Sequence, residues 1–575
     1  MLYAPVEQIV CASTGEIPTC FQRIEECLAG GCHVLGLFDY ELGYALHRKL
    51  NPLLLGHTRP LFRALAFKHS ERLKRGEIDA WLTQRDPVAT RRSGVANVRH
   101  GVTKDQYVRA IERIRHYIHD GDCYQINYTF PIGFDYFGEA FELYRSIRER
   151  QRVSYGAFIA LETESILSFS PELFVRRTGN TLTVKPMKGT LRRGGDQLED
   201  VFLRESLAED EKNRAENIMI VDLLRNDLGR LARTGGVRVE RLFDVESYRT
   251  LLQMTSTVTA EMDRHITLQE IFAALFPCGS ITGAPKVRCM EIIAEMEKTP
   301  RGLYTGAIGF LEPNGDFCFN VPIRTLVLDN LGHGSFGIGS GIVYDSRPAD
   351  EYAECLLKAS FVTGLDPGFQ LIESMLCDDR GYANLDLHLA RLAASARYFG
   401  LAYATDAILE TLRRHREGLL PGRSYKARLL LSKRGDVELE SSLLDVAQGP
   451  QMVRIAKQST HSQDLFLRHK TTNRELYSRE LNAAIEAGGF DALFFNERGE
   501  LTEGARSNVF LKLAGAWYTP PLECGVLPGV MRQRLLADPA YAASERILYA
   551  DDLARAERIL LTNAVRGAVA VMLKD

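Results

Sequence analysis

Apolar and polar positions fall into short alternating runs and longer helical repeats, interleaved along the whole chain. Thr181-Leu182-Thr183-Val184 alternates with the period of a strand, and Lys185-Pro186-Met187-Lys188-Gly189-Thr190 follows it. Alternation running into proline and glycine predicts a strand that ends in a tight turn. Similar runs lie at Val34 to Phe38, Ser154 to Leu161 and Phe317 to Leu328. Ile218, Val221, Leu224 and Leu228 recur at three- and four-residue spacing, which predicts one helix over Ser206 to Leu231. Another is predicted to start at Pro348, with Asp345 and Ser346 upstream as capping candidates.

Thr363-Gly364-Leu365-Asp366-Pro367-Gly368 interrupts the pattern with the residues that stop helices and turn chains. It separates residues 1–365 from residues 366–575, each long enough to hold a core. After the break come a strand-like run at Phe369 to Leu376 and a helix at Leu385 to Gly400. Strands at Lys426 to Ser432 and Asp491 to Phe495, and a helix at Arg474 to Ala487, complete the pattern.

At 575 residues the chain exceeds a single core. The 45% hydrophobic and 25% charged residues are ordinary for a globular enzyme. With 71 basic against 74 acidic side chains, charge gives no reason to expect nucleic acid or an anionic membrane as partner. The first twenty residues lack a basic stretch followed by an apolar run, and no apolar run is long enough to span a bilayer. The eleven cysteines are scattered without zinc spacing, which fits buried thiols in a reducing cytoplasm.

Three features suggest chemistry. Lys188, at a strand end, can lose solvent, which lowers an amine's pKa and makes it nucleophilic. A lone lysine on a turn is more often simply solvated. Glu351 and Glu354 share a helix face, and Glu216 lies on the other long helix. Carboxylates from two helices suit Mg²⁺, although exposed glutamates are common on helices. Lys470 precedes a helix, which alone is again the ordinary place for a solvated lysine.

Longer motifs change that balance. Pro186-Met187-Lys188-Gly189-Thr190, Ala215 to Leu228, Pro277 to Lys286 and Gly339 to Val343 resemble the signatures of chorismate-utilising enzymes. The similarity runs from about Asp39 to Lys358, and Lys188 matches the aminodeoxychorismate synthase component I branch rather than anthranilate synthase. The resemblance implies that Glu216 and Glu354 ligate Mg²⁺, with Glu351 assisting. It implies that Arg324 clamps a carboxylate and that Tyr304, Gly341 and Lys358 complete substrate binding. Glu172 matches the general acid. Gln125 stands where water-adding relatives carry a lysine base, and an amide takes no proton at neutral pH, so an incoming amine is favoured. Asn213 departs from the acidic residue of many relatives. No stretch matches a glutamine amidotransferase nucleophile, so ammonia is expected from a separate glutaminase subunit or from solution.

His388-Leu389-Ala390-Arg391-Leu392, His469-Lys470-Thr471-Thr472-Asn473-Arg474, Thr502 to Phe510 and Leu527 to Arg532 together resemble fold-type IV pyridoxal-phosphate enzymes. These include aminodeoxychorismate lyase and branched-chain and D-amino-acid aminotransferases. The resemblance assigns Lys470 to the cofactor aldehyde, Glu503 to the pyridine nitrogen, and Arg391 with the backbone of Val530 and Met531 to the phosphate. Ser507, Asn508, Thr562 and Asn563 are further cofactor candidates, and Arg566 is a carboxylate candidate. Many relatives have threonine where this chain has Met531.

The implied fold class is α+β. An antiparallel β-sandwich core with surrounding helices is followed by a two-subdomain α/β domain. The implied function is 4-aminobenzoate synthesis from chorismate in two steps. Anthranilate synthase fused to a branched-chain or D-amino-acid aminotransferase is the alternative, and a catalytically dead docking module is a third reading. Type IV relatives are often dimers, so a homodimer through the C-terminal segment is implied, while the residues leave the oligomeric state open.

Overall fold

The computed structural model describes all residues except 85–91, 152, 195, 248–250, 263–265, 445–450 and 575. The chain divides into two compact units, Met1–Leu365 and Asp366–Asp575. Both mix helices and strands.

Among the described residues the first unit holds a ten-stranded and a seven-stranded sheet. The central strands of the larger are His33–Phe38, Ala307–Leu311, Phe317–Asn320, Leu173–Thr178, Thr181–Lys185 and Leu251–Met262, in that order. The smaller is built on the long pair Gln125–Phe137 and His333–Ile342. Phe317 to Leu328 was expected as one strand. It is two, one in each sheet: Phe317–Asn320 belongs to the larger and Thr325–Asp329 to the smaller. The chain crosses between them at Val321 to Arg324, and Arg324 takes φ +50° there. Leu37, Leu65 and Ile308 of one sheet pack with Ile159 and Ile166 of the other in one buried cluster.

The stretch around Lys188 also differs from expectation. It is a strand, Met187–Arg192, paired with Leu251–Met262, and not a tight turn. The register shifts between Met187 and Thr190. Gly189 at φ +74° supplies the left-handed residue that a bulge needs, and the bulge re-aims the neighbouring side chain.

The single helix expected over Ser206 to Leu231 is two, Gln197–Glu209 and Glu211–Gly229. Asp210, extended at ψ 112°, breaks the run and caps the second helix by accepting from Asn213 N at 2.7 Å. Val221, Leu224 and Leu228 are buried, whereas Ile218 is 44% exposed, so the apolar face is narrower than its spacing suggested. The helix Pro348–Thr363 does begin at the proline, but neither Asp345 nor Ser346 caps it. Ser346 Oγ instead donates to Glu351 at 2.8 Å.

The second unit holds a four-stranded antiparallel sheet centred on Leu371–Asp378 and Tyr425–Leu431. It also holds an eight-stranded mixed sheet. In that sheet Leu501–Gly504 pairs with both Asp491–Phe495 and Ser507–Leu513, which closes six strands into a ring. No helix among the described residues is long and apolar enough to cross a membrane.

Candidate active sites

In the first unit, Lys188 Nζ lies 3.7 Å from Glu216 Oε2, and both side chains keep less than a fifth of their exposure. A Cβ built on Gly341 would fall 3.0 Å from Lys188 Nζ and 2.7 Å from Gln125 Nε2. The missing side chain at Gly341 therefore leaves the space into which amine and amide point. Gln125 is fully buried, and neither atom of its amide has a hydrogen-bond partner among the described residues. A buried amide without partners is costly unless a ligand completes it.

Burial pushes the Lys188 amine below its ordinary pKa, and the Glu216 charge opposes this. Glu172 is buried and accepts from Ser280 Oγ at 2.6 Å. Burial raises its pKa to about 7, against the lowering effects of Ser280 and Lys188. Burial thus moves nucleophile and acid in opposite directions, the amine down and the acid up. Ser280, absent from the expected catalytic set, was visible only as part of the Pro277 to Lys286 motif.

Lys358 Nζ binds Glu354 at 2.8 Å and the Gly339 carbonyl at 3.1 Å. Its charge also depresses the Lys188 amine. Glu351 is turned to Ser346, away from this lysine pair. Among the described residues no three acidic, cysteine or histidine side chains form a metal-ligand group. Glu216 and Glu354, each balanced by one lysine, supply two hard oxygen donors. That fits Mg²⁺ held by one or two carboxylates with retained water, and not an all-protein cage. Asn213 packs against Gly189, its Cγ 2.7 Å from where a Cβ would be, so it shapes the bulge. Arg324 is mostly buried, burial lowers its pKa, and it has no carboxylate partner among the described residues. Tyr304 lies over Gly337, where a Cβ would come within 2.2 Å of its ring.

Other motif residues hold the fold. Lys286 Nζ meets Asp227 at 2.5 Å and the Leu275 carbonyl at 2.9 Å, all buried. Glu41 accepts from the backbone of Arg301 and Gly302.

In the second unit a cavity of about 700 Å³ gathers Lys470, Glu503, Arg391, Asn508, Val530 and Met531. Ser507, Thr562, Asn563 and Arg566 line it too. Glu503 accepts from Leu527 N at 3.0 Å, Tyr477 Oη at 3.0 Å and Asn508 Nδ2 at 3.1 Å. Burial nevertheless raises it to about 7. Burial, then the Arg474 and Arg391 charges, lower Lys470 to about 7.

Arg391 is held by both oxygens of Glu373, at 2.9 and 2.6 Å, and by the Pro528 carbonyl. That places it beside the start of the helix Val530–Ala537, whose first N–H groups have no partner within the helix. Glu373 and Tyr477 were not anticipated. An acid within the apolar strand Leu371–Asp378 was the one available signal for Glu373. Ser507 Oγ donates to Asp491 at 2.6 Å, and Thr562 Oγ1 to the Asn508 carbonyl, so their hydroxyls brace the cavity wall. Asn563 Oδ1 accepts from Val565 N and Arg566 N and shapes its own turn. A Cβ on Gly529 would fall 1.9 Å from Asn508 Oδ1, so the backbone approaches the cavity where only glycine fits. A buried lysine, a carboxylate held opposite it and an arginine at a helix start fit pyridoxal phosphate.

The first unit thus has two antiparallel sheets and a buried lysine–glutamate pair, and the second a ring sheet and a lysine-lined cavity. The chorismate binding enzyme family matches residues 12–364 and the class IV amino-transferase family residues 370–572. The chain belongs to the chorismate binding enzymes, with a class IV amino-transferase domain following.

It is 40% identical over 282 residues to aminodeoxychorismate synthase component 1 of Klebsiella aerogenes, covering 49% of this chain and 62% of that protein. It is 34% identical over 327 residues to the Salmonella typhimurium component 1, covering 57% of this chain and 68% of that protein. Among the relatives of highest similarity, the Escherichia coli protein is covered over only 57% of its length. Among solved structures, anthranilate synthase component I of Streptococcus pneumoniae is similar at 25% identity and a TM-score of 0.53. The likeness covers 63% of this chain and 90% of that one.

Proposed function

We propose that the chain makes 4-aminobenzoate from chorismate in two steps, one in each unit. In the first, Lys188 Nζ attacks ring carbon C2, both ring double bonds shift, and the C4 hydroxyl leaves as water with a proton from Glu172. Ammonia then attacks C4, both double bonds shift back, and the Lys188–C2 bond breaks to release 4-amino-4-deoxychorismate. Arg324, the Gln125 amide, Tyr304 and Lys358 hold the substrate. Glu216 and Glu354 would hold Mg²⁺, which screens a substrate carboxylate and draws charge from the ring. Glu351 would support the loop through Ser346. An antiparallel β-sandwich is the architecture this reading gives the first unit, with a two-subdomain α/β arrangement in the second.

In the second unit, Lys470 takes the proton from the amine-bearing carbon, and pyruvate then leaves as the ring becomes aromatic. Glu503 faces the pyridine nitrogen, Arg391 and the Val530 and Met531 backbone face the phosphate, and Asn508 fixes Glu503. Bound pyridoxal phosphate supplies the electron sink for this step. Ammonia would come from a separate glutamine amidotransferase subunit, the second unit would mediate a homodimer, and the eleven free thiols suit a reducing cytoplasm.

The observation that carries the reading is the buried Lys188 amine between Glu216 and Gly341, because anthranilate synthases place a small residue there. The test is product analysis with chorismate, ammonium and Mg²⁺. The intact protein should yield 4-aminobenzoate. Lys188→Ala should consume no chorismate, and Lys470→Ala should accumulate the aminated diene. Formation of 2-aminobenzoate would favour the anthranilate reading instead.

A further inference from the structure

Cations cluster on the lining of the cofactor cavity in the second unit. Besides Lys470, six lysine and arginine side chains line it against three carboxylates. Arg391 faces the phosphate end and is already matched by Glu373. The remaining cations gather elsewhere.

Lys426 and Arg428 project from one face of the strand Tyr425–Leu431, two residues apart, with Ser374 opposite Arg428 on the neighbouring strand. Arg566 comes from the turn between Arg558–Asn563 and Gly567–Leu573, and Arg506 from the turn before Ser507–Leu513. Two of the group have structural partners: Arg474 donates to the Ala505 carbonyl and Arg506 to the Phe490 carbonyl. Arg428 meets only the exposed Glu440, at 3.5 Å. Lys426 and Arg566 have no ion pair among the described residues, and the charges felt most strongly by Lys426 are Arg566, Arg428, Arg506 and Arg474. Like charges from three elements on one cavity wall, with Lys426 and Arg566 lacking an ion pair among the described residues, oppose folding. Such an arrangement is what an anion-binding site requires.

We infer that Lys426, Arg428 and Arg566 form a dicarboxylate-recognition wall, selecting a primary amine that carries two carboxylates over one with an apolar side chain. The inference rests on the proposed lyase function of this unit, and it names the residues that would distinguish it from a transaminase of branched-chain amino acids. An apolar side chain gains nothing from such a wall, whereas each carboxylate gains charge-assisted hydrogen bonds.

Calorimetric titration of the pyridoxal-phosphate-loaded full chain tests it, with isophthalate as a doubly charged probe and benzoate as a singly charged one. The intact protein should bind isophthalate roughly tenfold or more tightly than benzoate, with an affinity that falls as salt rises. Lys426→Gln and Arg566→Gln should each weaken isophthalate roughly tenfold and narrow its preference over benzoate, leaving the cofactor absorption band unchanged. Lys426→Arg, which keeps the charge, should retain the preference. Thermal melting of each variant identifies a misfolded one, in which case the charge-retaining variant and the salt dependence decide. Equal affinity for the two probes, or unchanged isophthalate affinity in both glutamine variants, overturns the inference. If lyase turnover is present without the preference, the inference alone fails. If the preference is present without lyase turnover, the lyase reading alone fails.

Discussion

At the scale of single residues, the proposed first site sets two groups against each other. The proposed amination has Lys188 neutral and Glu172 protonated. Burial lowers the amine and lifts the acid to about 7. As pH falls Lys188 gains its proton, and as pH rises through about 7 Glu172 loses its own, so the reactive pair is depleted at both extremes. The profile of kcat/KM for ammonium-dependent amination should therefore be bell-shaped. Ser280→Ala removes the hydrogen bond that lowers Glu172, so the limb near pH 7 should move to higher pH. A limb that stayed or moved down would dissociate Ser280 from the acid. Glu172→Gln cannot donate and should lose roughly two to four orders of magnitude in kcat. Lys188 and Glu172 could be picked out from their motifs. Ser280 as the partner of Glu172 could not, because 108 residues separate the two.

At the scale of elements, glycines and buried ion pairs hold these residues in place. Gly189 has φ +74°, and its Cβ would meet Asn213. Gly189→Ala should cost about 1–3 kcal/mol in denaturant unfolding and reduce amination further by displacing Lys188. Gly529→Ala should push Asn508 from Glu503 and weaken cofactor binding in an absorbance titration, with the first site unaffected. Glu373 is held at about 2, below its usual 4.5, by the Arg391 and His388 partners that overcome its burial. Its contribution to stability is complete above about pH 4.5 and is lost as pH falls towards 2. Glu373→Gln should flatten the acid limb of the melting temperature between those values.

At the scale of the whole molecule, the two units have separate cores and separate sites. Lys188→Ala should keep the cofactor absorption band, and Lys470→Ala should keep chorismate consumption; loss of both functions in either variant would argue against two independent sites. Local periodicity located most of the elements it predicted to within a residue or two, because alternation and helical spacing are properties of neighbouring positions. The break near Gly364 and the motif lysines were legible for the same reason. Tertiary structure decided what depends on partners distant in sequence. It split the Phe317 to Leu328 run between two sheets and turned the expected loop at Lys188 into a bulged strand. It sent Glu351 to Ser346, and it set Lys426, Arg428 and Arg566 on the wall of one cavity. Burial and charge pairing are sums over neighbours in space, and sequence order does not contain those neighbours.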